Sequence, residues 1–219
     1  MLFELDAGER DDESEELWAQ FDLLNIACGG HAGDVSSMSR VLDACKRHGI
    51  EAGAHPSYPD RVNFGRATMA IDHTELETSI HDQCATLRRL AEARGLSIGH
   101  AKPHGALYHD ANRDRDLAEV VVSGVMSALG AVTMIGPPQG VLRDAATMHG
   151  MRYLAEGFAD RNTLADGSLI PRGQPRALIE DPLEASARAK TLVADAMCIH
   201  ADTPNALAIA KAVRAAVKR

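Results

Sequence analysis

Seven short apolar segments separated by helical patterns predict an α/β protein on a parallel sheet. The segments are residues 2–6, 23–28, 50–54, 96–101, 132–136, 153–158 and 196–200, each the length of a buried strand. Parallel neighbours need a crossover of about a dozen residues or more, and the intervening stretches supply it. This alternation fits an open doubly wound sheet or an incomplete seven-stranded barrel. Both put function at the carboxyl ends of the strands.

In chain order, the first clear helix is residues 34–48, with Met38, Val41, Leu42 and Cys45 on one face and Gly49 as its stop. Thr74, with Glu77 three residues on, reads as a capping box for a helix carrying Leu76, Ile80, Leu87 and Leu90 that ends at Gly95. Leu117, Val121, Val125 and Leu129 form the next stripe, before Gly130. Residues 136–140, Gly-Pro-Pro-Gln-Gly, are a turn. Asp181-Pro182 and Thr203-Pro204 each join a capping side chain to a proline, marking the last two helix starts.

Composition narrows the function. Of 219 residues, 45% are hydrophobic and 25% charged, which suits one globular domain spanning 1–219. The net charge of −8 and the lack of a Lys/Arg block argue against a nucleic-acid partner and for a small metabolite or a protein. Residues 1–6 lack the basic flank and apolar run of a secretory signal, and no stretch approaches the roughly 20 apolar residues that span a bilayer. Cys28, Cys45, Cys84 and Cys198 form no C-x-x-C pair, so a cytoplasmic protein with reduced thiols is expected; a homo-oligomer is compatible. Neither G-x-G-x-x-G nor a P-loop occurs.

The polar residues just after each apolar run are Asp6 and Glu9, then Asn25, His31 and Asp34, then His55, then Lys102 and His104, then Asp160 and Arg161, then His200 and Asp202. On a parallel barrel they converge on one face. Imidazoles and carboxylates in that setting suit a divalent metal that activates water, or general acid and base catalysis. No H-E-x-x-H is present, and the proline between Lys102 and His104 disfavours a helical ligand pair. A lone histidine is more often structural, which is the reading for His200, His48, His73, His81 and His149. His31, His55 and His104 instead sit in glycine- or proline-bearing turns. Asp34 is either a proton carrier or the cap of the following helix.

The expected catalytic centre is therefore Asp6, His31, His55 and His104, with Asp34 or Glu9 moving protons and Asp6, His31 and His55 as the metal set. Asn25, Lys102 and Asp160 are expected to bind substrate. Arg61, Arg66, Arg161 and Arg172 form basic loops able to fork a substrate carboxylate.

Several of these turns carry a resemblance. Asp6-Ala7-Gly8-Glu9, Asn25-Ile26-Ala27-Cys28-Gly29-Gly30-His31-Ala32-Gly33-Asp34, residues 53–66 from Gly-Ala-His-Pro-Ser to Phe-Gly-Arg, Lys102-Pro103-His104-Gly105, residues 156–161 and Cys198-Ile199-His200 resemble the LamB/YcsF family in order along the chain. The resemblance implies a seven-stranded β/α barrel related to glycoside hydrolases and polysaccharide deacetylases. It also implies an ATP-dependent 5-oxoprolinase activity, opening 5-oxoproline to L-glutamate with B and C subunits. This chain has no nucleotide loop, so ATP is expected to be handled with those partners. Rival readings are a free-standing metal-dependent deacetylase or amidohydrolase and a non-catalytic substrate-binding subunit. The family usually reads Asn-Ala-Asp-Leu-Gly-Glu where this chain has Glu4-Leu5-Asp6-Ala7-Gly8-Glu9. Gly30 replaces a Phe, Ala201 replaces a Gly, and the segment before Cys198 is short.

Overall fold

The structure is a computed structural model and describes residues 1–164 and 169–217. Strands β1 (Leu2–Ala7), β2 (Leu23–Ala27), β3 (Glu51–His55), β4 (Ile98–Ala101), β5 (Thr133–Gly136), β6 (Tyr153–Phe158) and β7 (Ala196–His200) pair in sequence order, all parallel. The sheet closes on itself because β1 also pairs with β7, setting Glu4 opposite Cys198 and Asp6 opposite His200.

Outside the barrel lie α1 (Glu15–Trp18), α2 (Val35–His48), α3 (His73–Glu92), α4 (Gly105–Ala111), α5 (Arg115–Leu129), α6 (Val141–Met148), α7 (Pro182–Ala189) and α8 (Ala206–Val217). Their apolar stripes, such as Met38, Val41, Leu42 and Cys45 of α2, pack on the outward side chains of the strands. Gly49 and Gly130 end α2 and α5 as expected. Asp181 caps α7, with Pro182 in its first turn.

Two helix starts differ from the sequence reading. Asp72, not Thr74, caps α3, accepting from the amides of Thr74 and Glu75 at 2.9 and 3.3 Å. An ionised carboxylate is the better partner for free amides at the positive end of a helix. After Thr203-Pro204 the chain makes a turn, with Asn205 at φ 64, and α8 begins only at Ala206. The Thr203 hydroxyl is spent on Asp160 instead.

Side chains alternate across each strand. On β1, Phe3, Leu5 and Ala7 join the outer core, while Glu4 and Asp6 face the barrel axis. Leu23, Ile135, Leu154 and Ala196 form a separate apolar cluster. Two residues further along the strands are Asn25, Glu156 and Cys198, so the axis changes from an apolar plug to a polar, buried layer toward the carboxyl ends.

Candidate functional site

Lys102, just past β4, organises the polar layer. Its Nζ lies 2.8 Å from Asp6 Oδ1, 2.5 Å from Glu156 Oε1, 3.7 Å from Glu4 Oε2 and 3.3 Å from Cys198 Sγ. Burial alone would raise the Asp6 carboxyl, but His55 and Lys102 outweigh it and hold Asp6 well below the usual range. Burial outweighs Lys102 and pushes the Glu4 carboxyl well above that range. Glu4 stands where the resembled family carries an Asn. Asn25 Nδ2 donates to Glu4 Oε2 at 2.8 Å and Asp6 Oδ1 at 2.9 Å, and Asn25 Oδ1 faces His100 Nε2 at 3.0 Å. Asn25 thus holds the carboxylates in place from within the barrel.

Beside Asp6, His31, His55 and His104 surround Glu9. Glu9 Oε1 is 3.0 Å from His31 Nε2, 3.2 Å from His104 Nδ1 and 3.7 Å from His55 Nε2. His55 Nε2 lies 3.0 Å from His104 Nδ1 and 3.4 Å from Asp6 Oδ2. The remaining nitrogens of two rings face backbone carbonyls: His55 Nδ1 to Lys102 O at 2.7 Å, and His104 Nε2 to Phe64 O at 3.0 Å. The ring of His31 lies flat on that of His104, centroids 3.6 Å apart and planes 3° from parallel. Burial and then the neighbouring His104 push His31 down to about 3, so its ring is neutral. The 53–66 loop supplies the wall: Phe64 is held at φ 56, and a Cβ on Gly65 would fall 2.9 Å from His31 Cβ.

The loop after β2 follows the same logic. A Cβ at Gly30 would meet Ser57 Oγ at 2.4 Å and Gln83 Oε1 at 2.5 Å, because the Gln83 amide bonds both the N–H and the C=O of Ser57. Gln83 fills the space where the resembled family carries a Phe.

A cavity of about 510 Å³ opens at this end of the barrel, walled by Asp6, Glu9, His55, Lys102, His104 and Glu156. Arg66, Arg113, Arg161 and Arg172 rim it. Asp202 joins two of them, 3.0 Å from Arg66 and 2.7 Å from Arg172. Arg161 is buried and donates to the carbonyls of Ala177 and Ile170 at 3.3 and 2.7 Å.

Three expected site residues take other work. Asp34 is exposed and caps α2, accepting from Ser37 N at 2.8 Å, so it carries no proton for this cavity. Arg61 is exposed, with its guanidinium on the carbonyls of Gly29 and Gly33 at 3.0 and 2.9 Å; it pins the β2 loop rather than a ligand. Asp160 is buried away from the cavity wall, accepting from His200 N at 2.9 Å. Glu4, His100, Glu156 and Cys198 belong to the polar layer and are not among the site residues expected from sequence. They lie within strands, and inward alternation with Asp6 and Asn25 was the available signal.

Two groups of ligating atoms lie close enough to share an ion: Glu9, His31, His55 and His104, and Asp6, Cys198 and His200. The expected set of Asp6, His31 and His55 straddles them. Asp6 is drawn to the other side by Lys102 and Asn25.

The model of the LamB/YcsF family matches residues 8–219. The chain belongs to the LamB/YcsF family. It is 40% identical to the A subunit of 5-oxoprolinase from Streptomyces griseus, with 94% of this chain and 89% of that protein covered. Against the corresponding 5-oxoprolinase chain of Methylococcus capsulatus the identity is 38%, covering 92% and 84%. The crystal structure of the lactam utilization protein from Thermus thermophilus superposes with a TM-score of 0.90 at 34% identity, over 99% of this chain and 95% of that one. The closed seven-stranded barrel is thus the fold of this LamB/YcsF chain. Among the described residues no helix is long and apolar enough to cross a membrane.

Proposed function

We propose that this chain is the A component of a 5-oxoprolinase, opening the lactam of 5-oxo-L-proline to L-glutamate, with ATP handled together with partner B and C subunits. The observation that carries the reading is the cavity in which an ionised carboxylate, a histidine cluster and a buried lysine stand inside a ring of arginines. The names of the relatives support it.

A lactam carbonyl is a poor electrophile, so water needs a base, the carbonyl needs polarisation, and ATP hydrolysis coupled through the partner subunits supplies the driving force that water alone lacks. Asp6, kept ionised by its neighbours, takes a proton from the attacking water as the oxygen bonds to the ring carbonyl carbon. It then returns that proton to the ring nitrogen as the C–N bond breaks, leaving the carboxylic acid and amine of glutamate. Lys102 fixes Asp6 in place for both transfers. The arginine rim receives the substrate's own carboxylate. A divalent metal belongs to this reading; when bound, it supplies Lewis acidity toward the carbonyl oxygen.

The test is glutamate release from 5-oxoproline by the purified chain with and without candidate partner subunits and ATP. Release is expected only from the complete mixture. ATP-dependent release by this chain alone refutes the division of labour, and ATP-independent cleavage of N-acyl compounds points to a deacetylase.

A further inference from the structure

We infer that His55 Nε2, His104 Nδ1 and Glu9 Oε1 form the binding site of one first-row divalent cation, zinc or a similar ion, with His31 outside its coordination sphere. The inference rests on which ring nitrogens are already occupied. His55 Nδ1 and His104 Nε2 face backbone carbonyls, which only accept, so both nitrogens carry hydrogen and donate. Where no proton sits between them, the two other nitrogens hold lone pairs that face each other across 3.0 Å. A third acceptor, Glu9 Oε1, lies 3.2 and 3.7 Å from them. Three electron pairs turned on one point need a positive charge there. A single proton on one nitrogen answers one of the three contacts, whereas an ion answers all three.

The spacing suits such an ion. Donors 3.0 to 3.7 Å apart, each about 2.1 Å from a common centre, subtend angles of about 90° to about 125°, within what two imidazoles and a carboxylate give a first-row metal. A backbone carbonyl holding the far nitrogen is also the usual support of a ligating histidine. Three protein ligands leave positions open, and all three residues line the cavity.

His31 is excluded by its ring plane. An imidazole lone pair lies in the plane of its ring, and the rings of His31 and His104 are stacked 3.6 Å apart and 3° from parallel. Two such planes share no point where one ion can sit. His31 Nε2 instead donates to Glu9 Oε1 at 3.0 Å and orients the carboxylate. Asp6 is left out because Lys102 and Asn25 take its Oδ1, and its Oδ2, 3.4 Å from His55 Nε2, is not among the ligating atoms that Glu9, His55 and His104 bring together. Of the set expected from sequence, only His55 remains.

This inference deepens the proposed hydrolase reading but is tested without it. The full chain, stripped with a chelator, is titrated with Zn(II) and with Co(II). One tight equivalent is expected, and X-ray absorption at the zinc edge should count two imidazoles. Glu9→Gln and His104→Gln, checked for folding by a cooperative urea transition, should bind about 100-fold more weakly or worse, and His31→Gln should stay within the roughly 10- to 100-fold range of an outer-sphere change. The inference is overturned by a wild-type protein that binds no equivalent, by three imidazoles on the zinc, or by a folded His104→Gln that keeps the ion. Glutamate release is read separately: tight binding in a protein inactive with every partner present leaves the site standing and removes the oxoprolinase reading.

Discussion

Lys102 Nζ donates to Asp6 Oδ1 at 2.8 Å inside the barrel, tying the end of β4 to β1. It is the cation set among Glu4, Asp6 and Glu156. Lys102→Met should leave buried carboxylates uncompensated and cost about 3–5 kcal/mol, read by urea unfolding. A loss below about 1 kcal/mol would mean that the carboxylates shed their charge instead.

Asp34→Ala should remove the capping box of α2 and cost about 0.5–2 kcal/mol while leaving turnover unchanged. Loss of turnover at full stability would return Asp34 to the reaction.

The acid limb of stability should respond to Asp160. Burial would raise this carboxyl, but His200, with help from Thr203, holds it below the ordinary value. The unfolded chain then takes up the proton first, near pH 3.9, so this stability is present above about pH 5 and is lost as pH falls. Asp160→Asn should flatten thermal stability against pH below about 5. An unchanged acid limb counts against the linkage.

Arg172, on the cavity rim and paired with Asp202 at 2.7 Å, can exchange Asp202 for a substrate carboxylate. One charge-assisted hydrogen bond is worth about 1.5–3 kcal/mol, so Arg172→Gln should raise KM about tenfold or more with a smaller change in kcat. Steady-state kinetics with the partner subunits decides; a fall in kcat at constant KM would place Arg172 in the chemical step.

The strands were legible because each is an apolar run bounded by turn residues, and the structure moves their ends by no more than a residue or two. α1 and α4 span too few turns to show a helical period. His55 and His104 stood out by their turns, and Asp6 and Glu9 by standing at or just past the end of the first apolar run. Asp34 and Arg61 misled because a carboxylate that caps a helix and an arginine that braces a loop have the same residue types as catalytic ones. Which nitrogen of each imidazole is free was beyond the sequence, since it depends on the carbonyls of Lys102 and Phe64, brought close only by folding.

The seam between β1 and β7 joins residues that are nearly the whole chain apart, Leu2 with Ala196 and Asp6 with His200. Contacts so distant in sequence are the slowest to form and the first at risk in partial opening. Because Asp6 sits on that seam, damage there should yield a protein that keeps its helices and has lost its chemistry. Helical content is then a poor gauge of competence for this barrel; ligand occupancy is the better one.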